Sequence, residues 1–319
     1  MKHIFIFNPN HFHEQQWKID GVFDNIGQYF RNQKNSEFST QIPRYPRETI
    51  GIVQKQIDEL KDGDSLRVYA IGGEEVMFDC LNGIAELTNA DLAIMPHGHR
   101  NDFLGLFGEE KLGSFNDIDL MAESPSISTD LIKAGNVFVL NCCTAGLGSI
   151  IAMRNKDIKN KKGMVRFYAF RRFVALLKNI NLFFNRKLTA HYYNIKADGV
   201  DYSGNYISIN VANGPRCDGR ITALTDAVPN DGMLDVALLK TTRSIAALFS
   251  FTSFSRGKIP GNCVVFRAKK ITIQSEEPFL FRMDSEFIRE TSISMEIVPK
   301  AVHIVTADMS YPLPNGAYS

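Results

Sequence analysis

The chain has almost no net charge. Its 319 residues carry 36 basic and 35 acidic side chains, a balance of +1, which gives no electrostatic footing for general nucleic-acid binding. Any charged ligand must be met locally. Cysteine is scarce, with five residues at Cys80, Cys142, Cys143, Cys217 and Cys263, no C-x-x-C pair and no metal-ligand spacing. An odd, scattered set beside no export signal argues for a reducing, intracellular setting. The opening MKHIFIFNPN is apolar for too few residues to be a signal peptide and reads as a first buried strand. No segment approaches the roughly 18 continuous apolar residues of a membrane span. The protein is therefore expected in the cytoplasm, with any membrane contact made from the surface. Repeats and low-complexity tracts are also missing, and the tail YPLPNGAYS is expected to be loosely held.

What is present is the composition of an ordinary globular chain, 44% hydrophobic and 22% charged, long enough for two cores. In the first third, short apolar runs (HIFIFNP, SLRVYAI, DLAIMPHG) alternate with stretches of helical spacing. One of these carries Ile19, Val22, Phe23, Ile26 and Phe30, another Ile50, Val53, Ile57 and Leu60, and a third is VMFDCLNGIAEL. Such alternation predicts a parallel sheet covered on both faces. Ligands of such sheets lie beyond the carboxyl ends of the strands, which is where NPN, GGEE and PHGH fall. From about residue 126 the texture changes to alternating runs such as YISINVAN, MLDVALLK and SISMEIVP, separated by turn signals, the pattern of an antiparallel sandwich. Two helical stretches interrupt it, MVRFYAFRRFVALLKNI and SIAALFSFTSFSRG. The expected division is 1–125 and 126–319, with the C-terminal segment able to return to the first domain.

The order of motifs resembles the diacylglycerol kinase catalytic family, which includes bacterial lipid kinases and, more distantly, sphingosine kinases. The residues that carry the likeness are Asn8-Pro9, Gly72-Gly73 with Asn82-Gly83, the turn Pro96, Gly98, Asn101, Asp102, Phe103, and Asp130-Leu131. They continue with Ala212-Asn213-Gly214, Asp231-Gly232-Met233-Leu234-Asp235-Val236 and Asp284-Ser285-Glu286. The match is collinear over essentially the whole chain. It implies an α/β domain like that of NAD kinases and phosphofructokinases, followed by a β-sandwich, with nucleotide bound in the cleft between them.

The resemblance also implies chemistry. Phosphoryl transfer needs positioning, charge neutralisation by magnesium and a carboxylate near the acceptor hydroxyl. By resemblance Glu286 is the base, and Asp284, Asp102 and Asp130 support metal and base. ATP with Mg²⁺ is the implied donor and a lipid hydroxyl the acceptor. Asn8, Gly72, Gly73, Glu74, Glu75, Gly98, His99, Arg100 and Asn101 would line the nucleotide pocket. Asp231, with backbone carbonyls at Val228 and Met233, matches a family position for a structural metal, for which Mg²⁺ or Ca²⁺ suits an oxygen-only set. The plainer readings are a helix cap at Asp102, with the helix beginning near Phe103, and an ordinary N-D-G turn at Asp231.

The pattern is broken at its most sensitive turn. The family's GGDGT is GGEEV here, so Glu75 sits where backbone should approach phosphate and Val76 removes a hydroxyl donor. A carboxylate about 4 Å from a phosphate oxygen costs roughly 4 kcal/mol at an effective dielectric near 20 unless a cation lies between. In the other turn His99 and Arg100 enter, and the arginine can grip phosphate in bidentate fashion. The expectation is a rewired pocket, with Glu74 or Glu75 helping to ligate magnesium and Arg100 taking over phosphate. The alternatives are a kinase fold that binds without transfer, a sugar or NAD kinase, or a transition-metal site of His97, His99, Glu74 and Glu75. The stretch YAFRRFVALLKNINLFFNRK is a candidate wall for a lipid groove or a membrane-facing helix.

Overall fold

A computed structural model describes residues 1–8, 16–31, 33, 37–45, 47–97, 101–160, 191–216, 224, 226–242 and 244–311. The chain divides into two compact units. The first comprises Met1–Leu131, Val228–Gly232 and residues from Val298 on, and the second Ile132–Ala227 and Met233–Ile297.

In the first unit, strand β1 (Lys2–Phe7) is followed by helix α1 (Gln16–Arg31) and strand β2 (Glu37–Gln41). Helix α2 (Glu48–Asp58), strand β3 (Leu66–Ile71), helix α3 (Glu74–Ile84) and strand β4 (Ala90–Met95) come next. All pairings are parallel, in the order β4-β3-β1-β2, and His303–Val305 add to the free side of β4, also in parallel. The runs of β1, β3 and β4 are buried on both faces, which is why their sequences are predominantly apolar rather than alternating. β2, EFSTQ, is a half-exposed edge strand, and it carries no apolar signal that sequence reading could detect.

Polar groups lock the layers of this unit. Arg67 on β3 donates to the carbonyls of Met121, Ala122 and Ser124 at 2.9, 2.8 and 3.0 Å and to Asp91 Oδ2 at 3.0 Å. It thereby closes the C-terminal end of the short helix α4 (Ile118–Glu123), whose last carbonyls have no partner within the helix. His3 on β1 is buried with Nδ1 2.8 Å from the Tyr69 hydroxyl. Gly83 of α3 faces α2 so closely that a Cβ there would lie 2.9 Å from Val53 Cβ. Asn82-Gly83 therefore serves packing, since Asn82 Nδ2 also binds the Phe78 carbonyl one turn earlier at 2.9 Å.

The strand β5 (Ser126–Ala134) leads into the second unit. There follow β6 (Val137–Val139), β7 (Cys142–Gly146), α5 (Leu147–Asn160), β8 (His191–Ala197), β9 (Val200–Asp201), β10 (Gly204–Ala212) and β11 (Leu234–Lys240). Helix α6 (Ser244–Phe254), strands β12 (Cys263–Ala268) and β13 (Lys270–Met283), and the first part of β14 (Glu286–Val305) complete it, β14 belonging to the first unit from Val298 on. Pairing here is antiparallel. β10 binds β8 over its first residues and β7 over its last, and β13 does the same, so the four strands close on themselves. β11 and β12 extend the other side of β10.

One expectation needs correction, at a single position. Tyr311, at the head of the tail, is buried, bonds Thr129 through its hydroxyl and packs on Phe103 and Phe107, while the rest of the tail, 312–319, lies outside the described residues. Cys80, Cys143 and Cys263 are free thiols. Among the described residues no helix is long and apolar enough to cross a membrane. The stretch 168–187, the candidate lipid wall, lies outside them.

Candidate active site

In the first unit the carboxyl ends of β1, β3 and β4 carry the expected turns. Asn8 follows β1, is buried, and donates its N–H to the Ile71 carbonyl at 3.1 Å. Gly72 follows β3 with φ +131°, donates to the Met95 carbonyl at 2.9 Å, and leaves room for a Cβ only 3.1 Å from Asn8 Cβ. Gly72 is thus required by backbone conformation and by crowding. Gly73 is the N-cap of α3 and supplies no side-chain cap, so the first amides of that helix have no side-chain acceptor from the cap and favour an anion.

Glu74 and Glu75 open α3 and are half-buried. Glu74 Oε1 accepts the Asp102 N–H at 3.2 Å; the first glutamate therefore ties the β3 turn to the β4 turn. Asn101 is turned inward, with Oδ1 accepting from Leu104 N–H at 3.0 Å and Nδ2 3.3 Å from Met77 Sδ. The cap expected at Asp102 is made by Asn101 instead, because the helical turn begins at Leu104. Asp102 is buried beside it. His97 adopts φ +42° and donates its N–H to Asn116 Oδ1 at 2.8 Å, a partner that sequence reading missed because 19 residues separate them. Gly98, His99 and Arg100 lie outside the described residues.

Asp130 is spent on backbone. Its Oδ2 accepts from Gly232 N–H at 2.7 Å and its Oδ1 from Lys300 N–H at 2.8 Å, while its own N–H reaches the Pro229 carbonyl at 2.8 Å. It therefore holds the N-D-G loop in place. Asp231 in that loop is exposed, Val228 is buried and Met233 is half-buried. No group of three or more His, Cys, Asp or Glu side chains able to hold a metal occurs among the described residues.

In the second unit two motifs converge on Leu140-Asn141-Cys142. Asp284 accepts N–H bonds from Leu140 at 2.9 Å, Asn141 at 3.2 Å and Cys142 at 2.9 Å. Asn213 and Gly214 donate their N–H groups to the Asn141 carbonyl at 2.8 and 3.0 Å, and Asn213 Nδ2 reaches the Leu140 carbonyl at 2.8 Å. A Cβ on Gly214 would overlap Asn141 Oδ1. Burial raises the Asp284 carboxyl to about 6, against the opposing pull of these amides and of Arg282. Asp284 therefore positions rather than presents: it anchors the two-residue turn between β13 and β14, where Met283 pairs with Glu286.

The left-handed residue of that turn is Asp284, at φ +46°, and not Ser285. Two cations that sequence reading missed hold the turn's carbonyls, Arg282 Nε on Asp284 and Lys156 Nζ on Ser285 at 3.2 Å. Ser285 Oγ is buried without a hydrogen-bond partner among the described residues, and half-buried Glu286 follows it. Asp235, also buried, sits opposite Arg267 in register, Oδ1 to Nε 3.5 Å.

Residues 141–306 match the family model of the YegS C-terminal NAD kinase beta sandwich-like domain. The chain belongs to this family. Among relatives of this YegS-domain chain, a protein of Pseudomonas putida named "Probable lipid kinase YegS-like" is 24% identical over 258 residues, covering 80% of this chain and 81% of its own. A second of the same name, from Alcanivorax borkumensis, is 23% identical over 263 residues, covering 80% and 83%. A solved structure described as a diacylglycerol kinase from Bacillus anthracis str. Sterne superposes with a TM-score of 0.66 at 18% identity, covering 95% of this chain and 96% of its own. At that identity the likeness is one of fold. The YegS-domain match contains the Asp284 anchor and Glu286 but not the diglycine turn.

Proposed function

We propose that the protein is a lipid kinase that transfers the γ-phosphoryl group of ATP to a lipid hydroxyl such as that of diacylglycerol. The observation that carries this reading is the Gly72-Gly73 turn, bent by a positive φ against Asn8 and opening directly onto the N-terminus of α3. Family membership and the lipid-kinase names of the relatives support it. The phosphates would lie on the first amides of α3. Glu75 and Asp102 are the carboxylates that would hold Mg²⁺, which when bound supplies charge neutralisation. Glu74 is bonded to the Asp102 N–H, so its charge is drawn toward the loop amide. Glu286 is the proposed base, with Asp284 fixing the backbone that presents it. Asp231 with the Val228 and Met233 carbonyls remains the proposed site of a structural cation.

A second reading, binding without transfer, is favoured by the two glutamates at the phosphate turn. Incubation with labelled ATP, Mg²⁺ and diacylglycerol beside a Glu286→Gln control separates the two. Label incorporated by the wild type and lost in the control supports transfer; equal and negligible label in both removes it.

A further inference from the structure

Helix α6 is apolar on two opposite faces. Its inner face buries Ala247 and Phe251 against Leu147, Ile207 and Leu239, and Phe254 against Cys142 and Ala237. On its outer face Ile245 is 63% exposed and Phe249 70%. At about 100° per residue Ile245, Phe249, Thr252 and Arg256 fall on one narrow stripe, where a surface helix of a globular unit ordinarily places polar groups. The helix ends in a glycine turn: Gly257 at φ +79° donates to the Phe254 carbonyl at 3.0 Å, and the Lys258 N–H reaches the Ser253 carbonyl at 3.1 Å. This closure leaves Arg256 and Lys258 exposed at the tip of the apolar stripe, followed by Ile259, 52% exposed.

Charge is concentrated in the same segment. Between Val236 and Ser275 the chain has seven basic residues and no acidic one, in a protein whose total is +1, so the remainder sums to −6; Arg267 and Lys270 of the seven are paired with Asp235 and Glu296 outside the segment. Exposed apolar side chains beside the exposed cations Arg256 and Lys258 match a partner that is anionic at its surface and apolar beneath. We infer that the outer face of α6 docks on an anionic phospholipid bilayer, with Ile245 and Phe249 entering the acyl boundary and Arg256 and Lys258 lying at the headgroups. The inference builds on the lipid-kinase reading, since the acceptor of such an enzyme resides in a bilayer. Binding to vesicles involves no turnover, so the two can fail separately.

The test is co-sedimentation of the full chain, without nucleotide, with vesicles of phosphatidylcholine alone or mixed with an equal part of phosphatidylglycerol. The wild type should partition onto mixed vesicles, weakly onto neutral ones, and less at high salt. Ile245→Ser with Phe249→Ser should lower partitioning by about tenfold or more, and Arg256→Gln with Lys258→Gln by about tenfold. If thermal unfolding shows that either pair has damaged the fold, Phe249→Trp replaces it, and brominated lipid should quench the added indole. Wild type left in the supernatant, variants that bind like wild type, or an unquenched Phe249→Trp overturns the inference. So does a wild-type dimer in light scattering that the Ile245, Phe249 variant abolishes, because the face would then belong to a second copy.

Discussion

Protonating His3 should unfold the first unit by a calculable amount. The ring is buried between Phe30, at 4.8 Å, and Tyr69, with Nδ1 on the Tyr69 hydroxyl. Burial, with the charges of Arg67 and the N-terminus, lowers its pKa from 6.5 to about 4. The unfolded chain therefore takes up a proton in a range where the folded one does not. Stability contributed by the neutral ring is complete above pH 6.5 and is lost as pH falls toward 4. Linkage between those two values makes the loss about 2 kcal/mol from pH 8 to pH 5. In His3→Asn the side-chain amide takes the place of the Nδ1 edge and can still bond the Tyr69 hydroxyl, but nothing titrates. Urea unfolding of both proteins at pH 8 and 5, with hydrogen exchange read on β1 and β3, should show wild type losing about 2 kcal/mol more than the variant. Parallel losses, or a His3 resonance that titrates near the ordinary value, would refute the reasoning. Other groups that titrate between pH 8 and 5 cancel in the comparison.

Replacing Glu75 by glycine removes an anion from the phosphate turn, and nucleotide affinity in Mg²⁺-free buffer, measured by calorimetry, should rise by at least about tenfold; unchanged affinity would place that carboxylate away from the phosphates. Asp284→Ala strips the acceptor from three buried amides, so hydrogen exchange at Leu140, Asn141 and Cys142 should accelerate together, and undisturbed protection there would contradict the anchor. Gly83→Ala drives a methyl into Val53 and should cost about 1–3 kcal/mol in thermal unfolding. Val53→Ala in the same chain should recover part of that loss, and strictly additive losses would speak against the contact.

Sequence patterning reported burial well and partners poorly. β1, β3 and β4 were legible because strands covered on both faces must be apolar throughout, whereas β2 was silent because an edge strand need not be. The turns at Asn8, Gly72-Gly73 and Pro96 were legible because a parallel sheet fixes which strand ends face a ligand. The motif letters did not disclose their duties. Asn82-Gly83 packs two helices, Asn101 caps a turn, Asp130 and Asp284 hold backbone amides, and Glu74 crosses to the Asp102 loop.

By itself, then, the sequence determined the alternation of the first unit, the change of texture near residue 126 and the order of the motifs, since hydrophobic period and backbone-restricted glycines are properties of neighbours along the chain. Only the tertiary structure decided which carboxylates are consumed by amides and which remain to be offered to a ligand. A hydrogen-bond partner such as Leu140 for Asp284 lies 144 residues away. Nothing in the residues near either of them specifies that meeting; the folded backbone brings it about.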